Sequence, residues 1–260
     1  MKILILNKKI LFFICLFTVL FISLFFYLSN PFSFAIELTT NSVIDETLHE
    51  KVASLTKKEE KIAYLTFDDG PTVKATGKTL DILKAEDIKA TFFVVGKHVK
   101  ENPELAKRAY EEGHYLANHG YHHNNKQLYQ SAESFISEIK NTDIEIGKAI
   151  GVENYCSHVF RFPNGYMSSR YKAKKKEAVK LLSEMNYTYI DWNCLNHDSV
   201  KKYSNSQLLK NLKKSAKNKG TLVILMHDTS DVNDTPSILK DSIDYLREQG
   251  YEFRNFYDLL

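Results

Sequence analysis

Beyond residue 60, short apolar runs alternate with stretches whose apolar residues recur at helical spacing. "IAYLTF" (62–67), "ATFFVV" (90–95), "YLAN" (115–118), "HVFRF" (158–162), "YTYIDW" (187–192), "TLVILM" (221–226) and "YEFRN" (251–255) have strand-like patterns. Between them, residues 75–87, 103–113, 131–150, 174–185, 205–218 and 236–250 have helical periodicity. Leu80, Ile82 and Leu83 share one side of the first helix, and Phe135, Ile136, Ile139 and Ile146 form the apolar face of the long third one. Gly113 closes the second helix. Seven strands alternating with six helices predict a parallel sheet with right-handed crossovers. A doubly wound open sheet and a closed barrel both fit that alternation.

The chain upstream has a different character. Lys8 and Lys9 precede Ile10–Leu28, nineteen residues without a charge. As a helix this run spans roughly 28 Å, close to the thickness of a bilayer core. It exceeds the apolar core of a cleaved signal peptide, so the pattern predicts an uncleaved transmembrane signal anchor. The lysines then stay in the cytoplasm and the remainder faces outward. Residues 1–30 are read as stub and anchor, the polar residues 31–60 as a linker or stalk, and residues 61–260 as the folded domain proper. Beyond Lys9 the chain has 32 basic and 32 acidic residues, a balance that gives no reason to bind nucleic acid. Cys156 and Cys194 fall in the exported part, where a disulfide is permitted; two small packed side chains is the alternative.

The unusual polar residues fall at the C-terminal ends of the predicted strands. Asp68 and Asp69 follow the first, His119 the third, Arg161 ends the fourth, and Asp191 and Trp192 end the fifth with Asp198 just beyond. His227 and Asp228 follow the sixth. Residues from five strands meeting at one rim favour a barrel over an open sheet, whose switch point recruits fewer. His119 and His123 stand four apart, a spacing that suits two imidazoles on one small cation; a packed or solvated pair is the plainer reading. One carboxylate from the Asp68–Asp69 pair completes a facial set with open positions. The other then stays free as a base, beside a water made more acidic by the cation. A simple Asp-Asp-Gly-Pro turn is the bland alternative.

"TFDDG", "HGYHH", "RFPNG", "DWNCLNHD" and "LMHD", in this order, resemble the polysaccharide deacetylases of carbohydrate esterase family 4 over about 61–257. The resemblance implies an irregular (β/α) barrel of about seven parallel strands. It implies Asp68 as general base, Asp69, His119 and His123 as metal ligands, and His227 as general acid. Arg161 would hold the base through an ion pair, and Asp198 would partner Arg161. The Asn164 N–H would be an oxyanion donor, with Trp192 and Leu225 lining the acetyl-methyl pocket. One divalent transition metal is implied, zinc by default, with cobalt, nickel or manganese as alternatives. Three positions depart from the family pattern: Gly120 replaces the Ser/Thr of the histidine motif, Ser199 a common tryptophan, and Asn164 a common tyrosine. His122 falls in the variable part of its motif. His98, His114, His158 and the basic run 172–176 are read as ordinary surface or packing residues. Tyr121 and Tyr166 are read as sugar platforms or as core. The expected activity is removal of N-acetyl groups from cell-wall polysaccharide, above all peptidoglycan N-acetylglucosamine, by a membrane-anchored monomer facing the wall. The alternatives are a muramic acid, chitooligosaccharide or poly-N-acetylglucosamine deacetylase, or a non-catalytic glycan-binding module.

Overall fold

The computed structural model describes residues 48–260. The expected membrane anchor, 10–28, and most of the expected linker lie outside these residues. Among the described residues no helix is long and apolar enough to cross a membrane.

In chain order the elements are β1 (Ile62–Asp68), α1 (Thr76–Ala85), β2 (Thr91–Val94), α2 (Gly96–Glu101), α3 (Pro103–Glu111) and β3 (Tyr115–Asn118). Then come α4 (Asn125–Leu128), α5 (Ala132–Ile150), β4 (Val159–Phe160), α6 (Lys172–Glu184), β5 (Thr188–Tyr189) and β6 (Cys194–Leu195). The chain finishes with α7 (Asn205–Ala216), β7 (Leu222–His227), α8 (Pro236–Glu248) and β8 (Glu252–Arg254). All pairings are parallel, in the order β5-β4-β3-β2-β1-β7-β6. β8 pairs with the start of β1, Ile62–Tyr64, while β2 pairs with Thr66–Asp68. Among the described residues no ladder joins β5 to β6. The irregular barrel is therefore a curled half-barrel of eight strands, one more than the hydrophobic pattern shows. The extra strand, β6, is two residues long and sits inside the polar stretch "DWNCLNHD".

The sequence alternation of β1 places its residues on two cores. Ala63, Leu65 and Phe67 join Leu80, Leu83, Ala106, Ile146 and Ile243 under the helical layer. Ile62 and Tyr64 join Phe93, Tyr115, Val223 and Phe256 on the other face. All seven residues of β1 are buried, as a strand covered on both faces requires. On the second face the apolar filling stops after Tyr64, and Thr66 and Asp68 follow at the same parity.

That second core also receives Leu48, Val52 and Leu55. Residues 48–57, read from sequence as part of a linker, are helical and pack against the domain. Their polar composition conceals three apolar residues spaced 4 and 3 apart, one face of a short helix. Burying such a side chain contributes about 1.5–3 kcal/mol. A chain starting at Lys61 is therefore expected to unfold several kcal/mol more easily than one retaining 48–60, as a lower denaturant midpoint.

Both described cysteines are free thiols, Cys194 buried in β6 and Cys156 half-buried.

Candidate active site

The site grows out of the end of β1. In register, Thr66 lies opposite Leu225 and Asp68 opposite His227 on β7, so these four residues share one face. The Asp68 N-terminal neighbours hold it in the ladder, and Asp69 leaves it with a left-handed φ of 77°. Aspartate tolerates that conformation better than most residues. The turn is pinned by Asp228. Its N–H donates to the Asp68 carbonyl (2.8 Å), and its carboxylate accepts from the Thr76 and Thr79 hydroxyls (2.5 and 3.2 Å). Gly70 lies so close to this carboxylate that a Cβ would collide with it. Burial pushes the Asp228 carboxyl up to about 7, against the two threonine hydroxyls.

Asp68 and Asp69 meet different partners. Asp68 Oδ1 accepts from Arg161 Nη1 at 2.7 Å, and both side chains are buried. The same Nη1 lies 2.7 Å from the Thr66 hydroxyl oxygen, and Nε donates to the Ile190 carbonyl at 3.2 Å. The guanidinium carbon lies 3.9 Å from the centre of the Phe93 ring. Arg161 is thus a rigid fork whose one carboxylate partner among the described residues is Asp68.

Asp69 Oδ1 lies 3.4 Å from His119 Nε2 and 3.2 Å from His123 Nε2. The three ligand atoms lie within 4.8 Å of one another. His119 Nδ1 lies 2.7 Å from the Arg161 carbonyl, which only accepts, so this nitrogen carries a hydrogen. In its neutral form His119 therefore presents the lone pair of Nε2 to Asp69. Asp69 Oδ1 is buried and makes no hydrogen bond. A carboxylate oxygen and two imidazole nitrogens converge here, an arrangement that fits a divalent cation. Burial opposes ionisation of Asp69, but His119 and His123 hold its carboxyl well below the usual carboxylate range.

On the opposite side stands His227. Its Nδ1 bonds Asp198 Oδ1 at 2.7 Å, and its N–H donates to Asp198 Oδ2 at 2.8 Å. Asp198 Oδ2 also accepts from the Thr235 hydroxyl at 2.6 Å. Nδ1–H is therefore committed to the carboxylate, and Nε2 is the atom left for chemistry. Burial works against a second proton, but Asp198, aided by Asp68 and Asp69, pushes His227 up to about 9.

The loop after β4 brings Asn164 to the rim with a φ of 65°. Its side-chain oxygen accepts from Asn125 Nδ2 at 2.7 Å, and among the described residues its N–H has no acceptor. Trp192 stands over the same loop. Its ring is 5.8 Å from the Arg161 guanidinium carbon, and a Cβ on Gly165 would come within 2.8 Å of it.

Residues 56–190 match the sequence model of the polysaccharide deacetylase family. The chain belongs to the polysaccharide deacetylase family. It is 36% identical over 208 residues to a peptidoglycan-N-acetylglucosamine deacetylase of Bacillus cereus, covering 77% of this chain and 71% of that one. It is 32% identical to the peptidoglycan-N-acetylmuramic acid deacetylase of Bacillus subtilis, covering 78% and 72%. A Streptococcus mutans carbohydrate esterase family 4 structure superposes with a TM-score of 0.71 at 30% identity, covering 80% of this chain and 90% of that one. The enzyme is a deacetylase, a hydrolase.

The deacetylase fold gathers Asp68, Asp69, His119, His123, Arg161, Leu225 and His227 at one end of the sheet. One expected contact is absent. Asp198 was to partner Arg161; it binds His227 instead, while Arg161 spends its charge on Asp68. Asp198 follows β6, which among the described residues pairs with β7 alone, so it arrives beside the end of β7 and its His227.

The sequence reading takes Lys175 as solvated and picks out Asp191 at a strand end without giving it a role. Lys175 lies in the basic run 172–176, yet it is buried and donates to the carbonyls of Gly165 (2.5 Å) and Ser168 (3.2 Å). It thereby holds the loop that carries Asn164. Asp191 caps the same loop, accepting from the N–H groups of Tyr166 (2.8 Å) and Met167 (3.0 Å). Tyr166 is half-buried against Tyr189, with ring centres 4.6 Å apart.

Proposed function

We propose that this deacetylase hydrolyses N-acetyl groups of peptidoglycan N-acetylglucosamine in a divalent-cation-dependent reaction. The carrying observation is the convergence of Asp69, His119 and His123 beside the Asp68–Arg161 pair, with the His227–Asp198 pair at the neighbouring strand end. When bound there, the cation supplies Lewis acidity toward the acetamide carbonyl and lowers the pKa of nearby water. Asp68 takes the proton of the attacking water, held in place by Arg161. The Asn164 N–H donates to the carbonyl oxygen as it becomes negative. Leu225 and Trp192 enclose the acetyl methyl. His227 Nε2 gives a proton to the departing amine, so water and amide become acetate and a free amino sugar. Zinc suits a two-imidazole, one-carboxylate set.

The uncharged run 10–28 behind Lys8 and Lys9 supports anchoring in the cell membrane, with the catalytic domain facing the wall. Similarity to deacetylases of both peptidoglycan sugars supports a wall substrate. Muropeptide mass spectrometry of cells with and without the gene tests the reading. Loss of free glucosamine on deletion is expected, loss of free muramic acid would reassign the sugar, and unchanged acetylation would reject the function.

Asp198 sets the proton supply of His227, which gives a pH prediction. A general acid must hold its proton, so activity falls as pH rises through the His227 pKa. Asp198→Asn removes the charge that favours the proton, which moves that pKa toward the ordinary value of about 6.5. The basic limb of the kcat/KM profile is expected to shift to lower pH in this variant, with the acid limb in place.

A further inference from the structure

We propose that Glu138 is the positioning residue for the metal-ligand loop, and that it sets the affinity of the site for its divalent cation. This rests on the reading of Asp69, His119 and His123 as ligands.

Glu138 lies on α5 between Phe135 and Thr142, on the face that packs inward, and only 4% of it is exposed. A buried carboxylate normally answers a cation. Among the described residues no lysine or arginine pairs with Glu138; its ion-pair partner is His122, at 2.6 Å. Its other bonds go to backbone. Oε2 accepts from the Tyr121 N–H at 2.7 Å and the His122 N–H at 2.9 Å, and Oε1 bonds His122 Nδ1. All three donors belong to the segment between His119 and His123.

That segment requires support. Gly120 has a φ of 82° and His123 a φ of 51°, both left-handed, and the latter is costly for a residue with a Cβ. Gly120 has no hydroxyl to tie the loop internally. A Cβ there would stand 3.5 Å from Glu138 Oε2, so the carboxylate occupies the space beside the glycine. The remaining ties are neutral: Gly120 N–H to Asn118 Oδ1 (2.9 Å), and the Gly120 and Tyr121 carbonyls to the Gly96 and Lys97 N–H groups (3.0 and 2.9 Å). Bonds to an ionised carboxylate are roughly twice as strong as neutral ones. Glu138 therefore fixes the distance between the two imidazoles from behind, without touching substrate or cation. Residues that orient metal ligands in this way typically govern affinity by about 10–100-fold.

The test is zinc affinity of the purified full chain, by competition with a chromophoric chelator, alongside melting temperature without metal. Glu138→Ala is expected to weaken zinc binding about 10–100-fold. Glu138→Asp, which keeps the charge but withdraws it by one methylene, is expected to weaken binding while melting near the wild type. Glu138→Gln keeps an oxygen for both N–H groups but loses the charge, and is expected to bind zinc more tightly than Glu138→Ala and more weakly than the wild type; binding no tighter than Glu138→Ala would overturn the part played by the two N–H bonds. Wild-type zinc affinity in both the Ala and Asp variants, whatever their melting temperatures, overturns the role of Glu138 alone. Failure of the wild type itself to bind zinc overturns the metal reading, and this inference with it.

Discussion

An Asp69→Ala chain is expected to purify without the roughly one divalent ion per chain expected of the parent, and to release acetate at least about a thousandfold more slowly. Asp69 Oδ1 is the atom that both imidazoles face, at 3.4 and 3.2 Å. Removing it leaves two imidazole nitrogens and no charged ligand, since the nearby Asp68 carboxylate is committed to Arg161. A cation in such a site supplies several kcal/mol to the transition state, and each ~1.4 kcal/mol is a tenfold change in rate. The fold itself depends little on Asp69, which makes no hydrogen bond through Oδ1. Elemental analysis together with acetate release at saturating substrate checks this, and near-normal stability of the metal-free variant is part of the expectation.

The second large effect is expected from Asp68→Asn, and it differs in kind. Asparagine keeps the shape of the side chain but takes no proton from water. The rate is expected to fall by about two to four powers of ten, the range general-base removal produces. Metal content stays near one per chain, because Asp68 Oδ2 stands 3.8 Å from His119 and the ligand trio is untouched. Stability falls as well. Arg161 is completely buried, and its charge loses its one carboxylate partner. Breaking a buried pair on one side typically costs about 3–5 kcal/mol. A low kcat with normal metal content and a lowered melting temperature is the signature. An inactive variant that has also lost its metal would show that Asp68 belongs to the ligand set.

That Asp68 and Asp69 face different partners was legible from strand alternation, whereas which of them serves as base and which as ligand came only from the family resemblance. Asp68 continues the parity of Ile62, Tyr64 and Thr66; Asp69 is the first residue past the strand. The histidine pair and the strand-end arginine were legible for the same reason, since each is local to one motif. Pairings between motifs were not. Asp198 and His227 are 29 residues apart, and an aspartate of that stretch matches an arginine as readily as an imidazole until the neighbours of β6 are known. Lys175 and Glu138 were hidden by composition. Each is a charged residue in a charged helix, and only packing shows that their heads are buried on loop carbonyls and loop amides. Strands β4, β5 and β6, two residues each, were found or missed according to their surroundings. The apolar "HVFRF" showed β4, whereas the polar flanks of Cys194–Leu195 gave no strand pattern. Helix α2 was missed because six residues are too few to display a period.

The central claim is that one cation held by Asp69, His119 and His123 drives amide hydrolysis at this rim. Acetate release from an N-acetylglucosamine oligomer by the purified chain, measured before chelation, after chelation and after zinc is restored, tests it most directly. Release that stops with the chelator and returns with zinc in the parent, but does not return in His119→Ala, is the predicted result. Release that continues at the parent rate in the thoroughly chelated protein would contradict it.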